Sequence, residues 1–149
     1  MIYGAKCGTS YQKIAEVKKT SFVHKKLKKG TYYKYMVTAQ DADGNVLAIA
    51  KLIHCATKGG KVTNAKSLKV NKKKITLKAG KTFKLKVKQV PQAKKAKIKN
   101  HRKISFESAK TKVATVNKKG VIKAKKKGKC VVWVYAQNGV STKVKVTVK

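Results

Sequence analysis

Two segments, Phe83-Lys84-Leu85-Lys86-Val87 and Val144-Lys145-Val146-Thr147-Val148, place an apolar side chain at every second position with lysine or threonine between. Successive side chains of a strand point to opposite faces, so a period of two describes a half-buried β-strand and lays no apolar stripe along a helix. Apolar runs recur at Ile2 to Ala5, Tyr11 to Val17, Tyr32 to Ala39, Val46 to Ile53, Val113 to Val116, Val121 to Ala124 and Val131 to Ala136. Turn signals separate them: Lys29-Gly30, Asp43-Gly44-Asn45, Lys119-Gly120 and Asn138-Gly139. Many short strands with regular turns predict an all-β chain of the sandwich type.

The length of 149 residues holds one large domain or two small ones, and an apolar content of 42% is enough for ordinary cores. Adjacent glycines in Thr57-Lys58-Gly59-Gly60-Lys61 interrupt the strand pattern. The expected organisation is a module at 1–58, a linker at 59–65 and a second module at 66–149. No run reaches the roughly 18 apolar residues of a membrane-spanning helix, and the first residues lack the layout of a secretory signal, so no membrane span is expected and any export signal would lie outside this chain.

The formal net charge is +36, with Arg102 the only arginine and Glu16, Asp41, Asp43 and Glu107 the only acids. Such a charge attracts polyanions at long range, and the attraction weakens with salt. Lysine is a hydrated point charge, whereas bidentate reading of bases and phosphates recruits arginine, so non-specific contact with anionic cell-wall or host polymers is expected rather than sequence-specific nucleic-acid reading. The tracts Lys72 to Lys74, Lys94 to Lys99 and Lys125 to Lys129 fall between strands or at their ends, where solvated loops are expected.

From residue 66 onward three stretches, Ile75 to Val87 (ITLKAGKTFKLKV), Ile104 to Val134 (ISFESAKTKVATVNKKGVIKAKKKGKCVVWV) and Val140 to Val148 (VSTKVKVTV), resemble a bacterial Ig-like domain of group 2. The shared order is a strand, a glycine turn, Val-Ala-Thr-Val, a glycine-led strand and a closing Val-x-Val strand. Phe106 stands where that family usually has Trp, and Glu107 where it often has Ser. The first half resembles the C-terminal part of a fibronectin type III domain: Leu27 to Tyr33 (LKKGTYY) matches the lead into its sixth strand, with Tyr33 at the tyrosine corner. Together the resemblances imply an Ig-like β-sandwich preceded by a partial fibronectin-like antiparallel sheet. A sheet without its facing partner leaves an apolar face and open edges, so self-association of the N-terminal half, or its packing on the second module, is expected.

Catalysis has little to draw on. General acid-base chemistry needs paired titratable groups, and the chain offers four carboxylates with His24, His54 and His101. No nucleophile triad, phosphate-cradling glycine loop or HExxH spacing is present, so neither an enzyme nor a bound cofactor is expected. Cys7, Cys55 and Cys130 form no CxxC pair, which leaves three small thiols, with a Cys7 to Cys55 bridge as the alternative. Asp41-Ala42-Asp43-Gly44-Asn45 opens like a calcium loop, but Lys51 and Leu52 stand where the closing glutamate belongs, so a hairpin turn is expected and no metal.

If Cys130, Val132 and Val134 point into the core, as the resemblance implies, then Val131, Trp133 and Tyr135 project from the opposite face. An aromatic pair among lysines could stack on a sugar or a partner, with lysine stems covering it as the competing reading. In the tyrosine cluster, Tyr33 and Tyr35 are expected in the core and Tyr32 outside. The function expected is a non-catalytic, extracellular or cell-surface module, an adhesin segment or spacer. An accessory region of a larger secreted enzyme is the alternative.

Overall fold

The computed structural model describes residues 1–149, all of whose regular elements are strands. They divide into two compact units. The first comprises Met1–Asn64, Ala93–Arg102 and Gln137–Gly139, and the second Ala65–Gln92, Lys103–Ala136 and Val140–Lys149.

In the first unit β1 (Ile2–Lys6), β2 (Gln12–Ala15), β3 (Tyr32–Gln40) and β4 (Val46–Ile49) form an antiparallel sheet in the order β2-β1-β3-β4, and β5 (Ile53–Ala56) pairs with the N-terminal half of β3. The apolar run from Val46 to Ile53 does not form one strand. It breaks at Ala50–Leu52, so that β4 pairs with Thr38 to Gln40 and β5 with Tyr32 to Tyr35. The registers set Ile2 opposite Val37, Gly4 opposite Tyr35 and Tyr35 opposite Ile53, and these residues share one sheet face. Gly4 belongs there because a Cβ would lie 2.7 Å from the Ile14 side chain and 3.0 Å from the Tyr35 ring.

Tyr32 lies on the other face, and it is buried rather than outside. Alternation places it opposite Tyr33 and Tyr35 correctly, but segment 93–102 and residues 61–64 supply a second layer that alternation along one strand cannot foresee. Its hydroxyl donates to Thr63 O at 2.5 Å and accepts from Lys99 N at 3.3 Å, and its ring packs 4.8 Å from that of His101. Buried Gln137 ties the same layer together: its Oε1 accepts from His101 N at 2.7 Å and Arg102 N at 3.2 Å, and its Nε2 donates to Lys99 O at 2.8 Å.

The second unit carries β6 (Ala65–Val70), β7 (Lys74–Leu77), β8 (Thr82–Lys84), β9 (Val87–Pro91), β10 (Ser105–Ser108), β11 (Ala114–Val116), β12 (Val121–Ala124), β13 (Gly128–Tyr135) and β14 (Ser141–Val148). A four-stranded sheet runs β10-β13-β14-β7, a three-stranded sheet β11-β12-β8, and β6 pairs with β9. All pairs are antiparallel except β14 with β7. The core holds Val132, Val134, Val144, Val146, Ile122 and Ala114, each essentially inaccessible to water. Burial of each valine or isoleucine stabilises the fold by roughly 1.5–3 kcal/mol.

The Phe83 to Val87 alternation does not make one strand. Phe83 pairs in β8 and Val87 in β9, in different sheets, and between them Leu85 is buried while Lys86 turns outward. Asn71 patches the backbone freed at this switch, its Oδ1 accepting from Lys86 N at 3.0 Å and its Nδ2 donating to Lys84 O at 3.2 Å. An alternating run that changes sheets keeps its inside and outside positions, which is why periodicity alone reads it as continuous.

Candidate functional site

In β13 the side chains of Cys130, Val132 and Val134 are buried, and those of Val131, Trp133 and Tyr135 are half-buried on the outer face. The Trp133 and Tyr135 rings stack at 25° with centroids 6.4 Å apart. Strand register decides their surroundings. Glu107 of β10 stands opposite Trp133 on one side and Lys143 of β14 on the other, while Val131 faces Lys145, which in turn pairs with Lys74 of β7. Lys74, Lys143 and Lys145 therefore share the face of the aromatic pair, as does Lys129 two residues before Val131. Glu107 is the only acid on it.

Beyond Val131 this face opens into a groove of about 610 Å³ lined by Lys74, Lys110, Lys129, Lys145, Val131 and Thr147. Alternation along β13 marks Val131, Trp133 and Tyr135 and sets them among lysines, but it does not say which lysines. The alternation of β14 marks Lys143 and Lys145 as outward, whereas only the register brings them beside Trp133 and Val131.

The remaining candidates occupy the first unit or serve as structure. Cys7 Sγ lies 3.4 Å from His54 Nδ1, and the His54 ring is 6.1 Å from that of His101. Burial, followed by the charges of Arg102, His101 and Lys34, holds His54 below the usual histidine range. Cys7 and Cys55 do not form a bridge: they flank β3 on opposite sides, Cys7 at the level of Tyr32 and Cys55 opposite Tyr33, so their side chains leave the sheet on opposite faces. All three thiols are free, and burial pushes each of them up. Burial likewise pushes the Tyr35 hydroxyl up to about 12, and it sits 3.1 Å from His24 Nδ1. The Tyr33 hydroxyl accepts from Lys28 N at 3.1 Å.

At the β3–β4 turn the Asp41 carboxylate accepts from Asn45 N at 2.8 Å and Asn45 Nδ2 at 3.0 Å, and Gly44 supplies a φ of 84°. Those bonds hold the carboxyl below its ordinary range and describe a hairpin turn. No cluster of three or more His, Cys, Asp or Glu side chains is placed to hold a metal, and no helix is long and apolar enough to cross a membrane.

The family model for the bacterial Ig-like domain (group 2) matches residues 64–148. No curated protein matches the chain. Among solved structures, the S-layer protein rSbsC(31-844) superimposes with a TM-score of 0.50 at 17% identity, over 80% of this chain and 16% of that one. The S-layer protein SbsC domains 4 and 5 superimposes with a TM-score of 0.48 at 16% identity, over 78% of this chain and 64% of that one. The likeness to the former is one of fold. The chain spans less than two thirds of the length of either.

Proposed function

The chain belongs to the bacterial Ig-like domain family of group 2, and from that membership we propose that it is a non-catalytic module of a bacterial cell surface or secreted protein, holding anionic polymers against a lysine-clad sheet. The observation that carries this reading is the outer face of the β10-β13-β14-β7 sheet, where stacked Trp133 and Tyr135 lie among Lys74, Lys129, Lys143 and Lys145 with a single acid, Glu107. Lysines attract the polymer at long range without fixing its sequence, and the aromatic pair with Val131 offers a flat apolar step for a sugar ring or backbone carbon. An extracellular setting is supported by the family and by the fold shared with an S-layer protein. The partial fibronectin-like character of the N-terminal half is supported by the Tyr33 hydroxyl reaching back to Lys28 N in the manner of a tyrosine corner.

Titration with a soluble poly(glycerol phosphate) tests the site. Trp133→Ala should lower the affinity by on the order of tenfold, as removal of an anchoring aromatic does, with the unfolding midpoint little changed because the ring lies on the outer face. Unchanged affinity in that variant would leave the aromatic step without a role. Association of the N-terminal unit with a second copy belongs to the same reading, and its support is that the exposed large apolar side chains, Phe22, Val23, Val37, Val46, Leu47 and Ile49, all lie in this unit.

A further inference from the structure

We infer that the β3–β4 hairpin is a dimer contact, in which β4 lies antiparallel to β4 of a second copy of this chain. The inference rests on the reading that the N-terminal unit self-associates and names the surface that does so. Its first support is a gap in the lysine coat. Between Lys34 and Lys51 there is no basic residue, although the chain has 40 basic residues in 149, and this stretch carries two of the four acids, Asp41 and Asp43. Its second support is independent: Val46, Leu47 and Ile49 are 52%, 67% and 61% exposed, on a strand at the end of its sheet with one edge unpaired.

Edge strands are templates for association, and lysine is a common means of blunting them. Lysine guards other edges of this chain in that way. Lys13 lies in β2, Lys74 in β7 and Lys84 in β8, while Lys103 and Lys110 flank β10 and Lys112 and Lys118 flank β11. β4 has no such guard within it or before it. Two chains of charge +36 repel over most of their surfaces, so a lysine-free apolar edge is where they can approach with the least like-charge contact.

Charge also selects the orientation. An antiparallel, two-fold arrangement centred near Ala48 brings the turn carrying Asp41 and Asp43 toward Lys51 of the second copy, and the symmetry repeats that match at the other end. A register shift between Ala39 and Gln40 leaves Leu47 as the extra residue of a bulge. The bulge limits backbone pairing to a few residues, so Val46, Leu47 and Ile49 carry the contact through burial.

The salt response of this contact has the opposite sign to that of polymer binding: salt screens the net repulsion between copies but leaves apolar burial in place. Sedimentation equilibrium of the full chain at about 0.15 M and about 0.5 M salt reads it directly. The expected result is a monomer–dimer equilibrium that tightens with salt. Leu47→Lys and Asp43→Lys should each weaken it by on the order of tenfold, and Lys51→Asp should restore dimerisation to Asp43→Lys. All these positions are exposed, and circular dichroism checks that the variants fold. A monomer at both salts would overturn the inference together with the self-association reading. A dimer that Leu47→Lys leaves unchanged would overturn the β4 contact and spare that reading.

Discussion

Gly120→Ala tests how the second unit is packed, because two separable costs meet at this buried residue. Gly120 has a φ of +75°, and a Cβ built there would lie 2.7 Å from Phe106 Cζ and 3.0 Å from its neighbouring ring carbon. Left-handed backbone costs an L-residue roughly 1–2 kcal/mol. Pushing the half-buried Phe106 ring aside costs about 1–3 kcal/mol more. The smaller unfolded-state entropy of alanine returns about 0.4–1 kcal/mol. Gly80 provides the control, since its φ is +80° and nothing lies within 4 Å of the added carbon. Gly80→Ala should therefore cost about 1 kcal/mol and Gly120→Ala about 2–4 kcal/mol, the difference measuring the Phe106 contact. Guanidinium unfolding followed by fluorescence of Trp133, the only tryptophan, reports on this unit. Equal unfolding free energies for the two variants would refute the claim that Phe106 is packed on the glycine.

Other consequences fall in the first unit. Gln137→Ala removes the acceptor of His101 N and Arg102 N and the donor to Lys99 O, and should destabilise this unit by about 2–3 kcal/mol in thermal unfolding followed by tyrosine circular dichroism. His54 has a folded pKa below its unfolded value, so the unfolded chain binds the proton first. Stability should be full above the ordinary histidine value, fall as pH drops from there toward the folded pKa, and lose this dependence in His54→Gln. Three thiols should titrate in the unfolded, unreduced protein, and buried Cys130 should react more slowly in the native protein than half-buried Cys7.

Much of the second unit was legible because its strands alternate cleanly. Alternation divides β13 into two apolar faces, and the resemblance to the Ig-like family implies that Cys130, Val132 and Val134 form the inner one. The same regularity hid the sheet switch at Leu85, since alternation records which side a residue faces and not which strand it pairs with. Pairing also placed Lys143 and Lys145 beside the aromatic step and kept Cys7 from Cys55. Alternation along β3 does not reveal the burial of Tyr32, because its cover comes from residues 61–64 and 93–102, distant in sequence and polar in composition. The contrast between the bare hairpin and the lysine elsewhere was visible in the letters, but its meaning depended on β4 being an edge.

The most direct test of the account is the salt dependence of polymer binding. Affinity for poly(glycerol phosphate), a heparin-like glycan and DNA would be measured across salt concentrations and plotted as the logarithm of each. A lysine-clad module that attracts polyanions and reads no sequence predicts linear losses of affinity with salt for all three, with DNA binding indifferent to base sequence. Affinity that did not fall with salt, or no binding to any of the three at low salt, would contradict it.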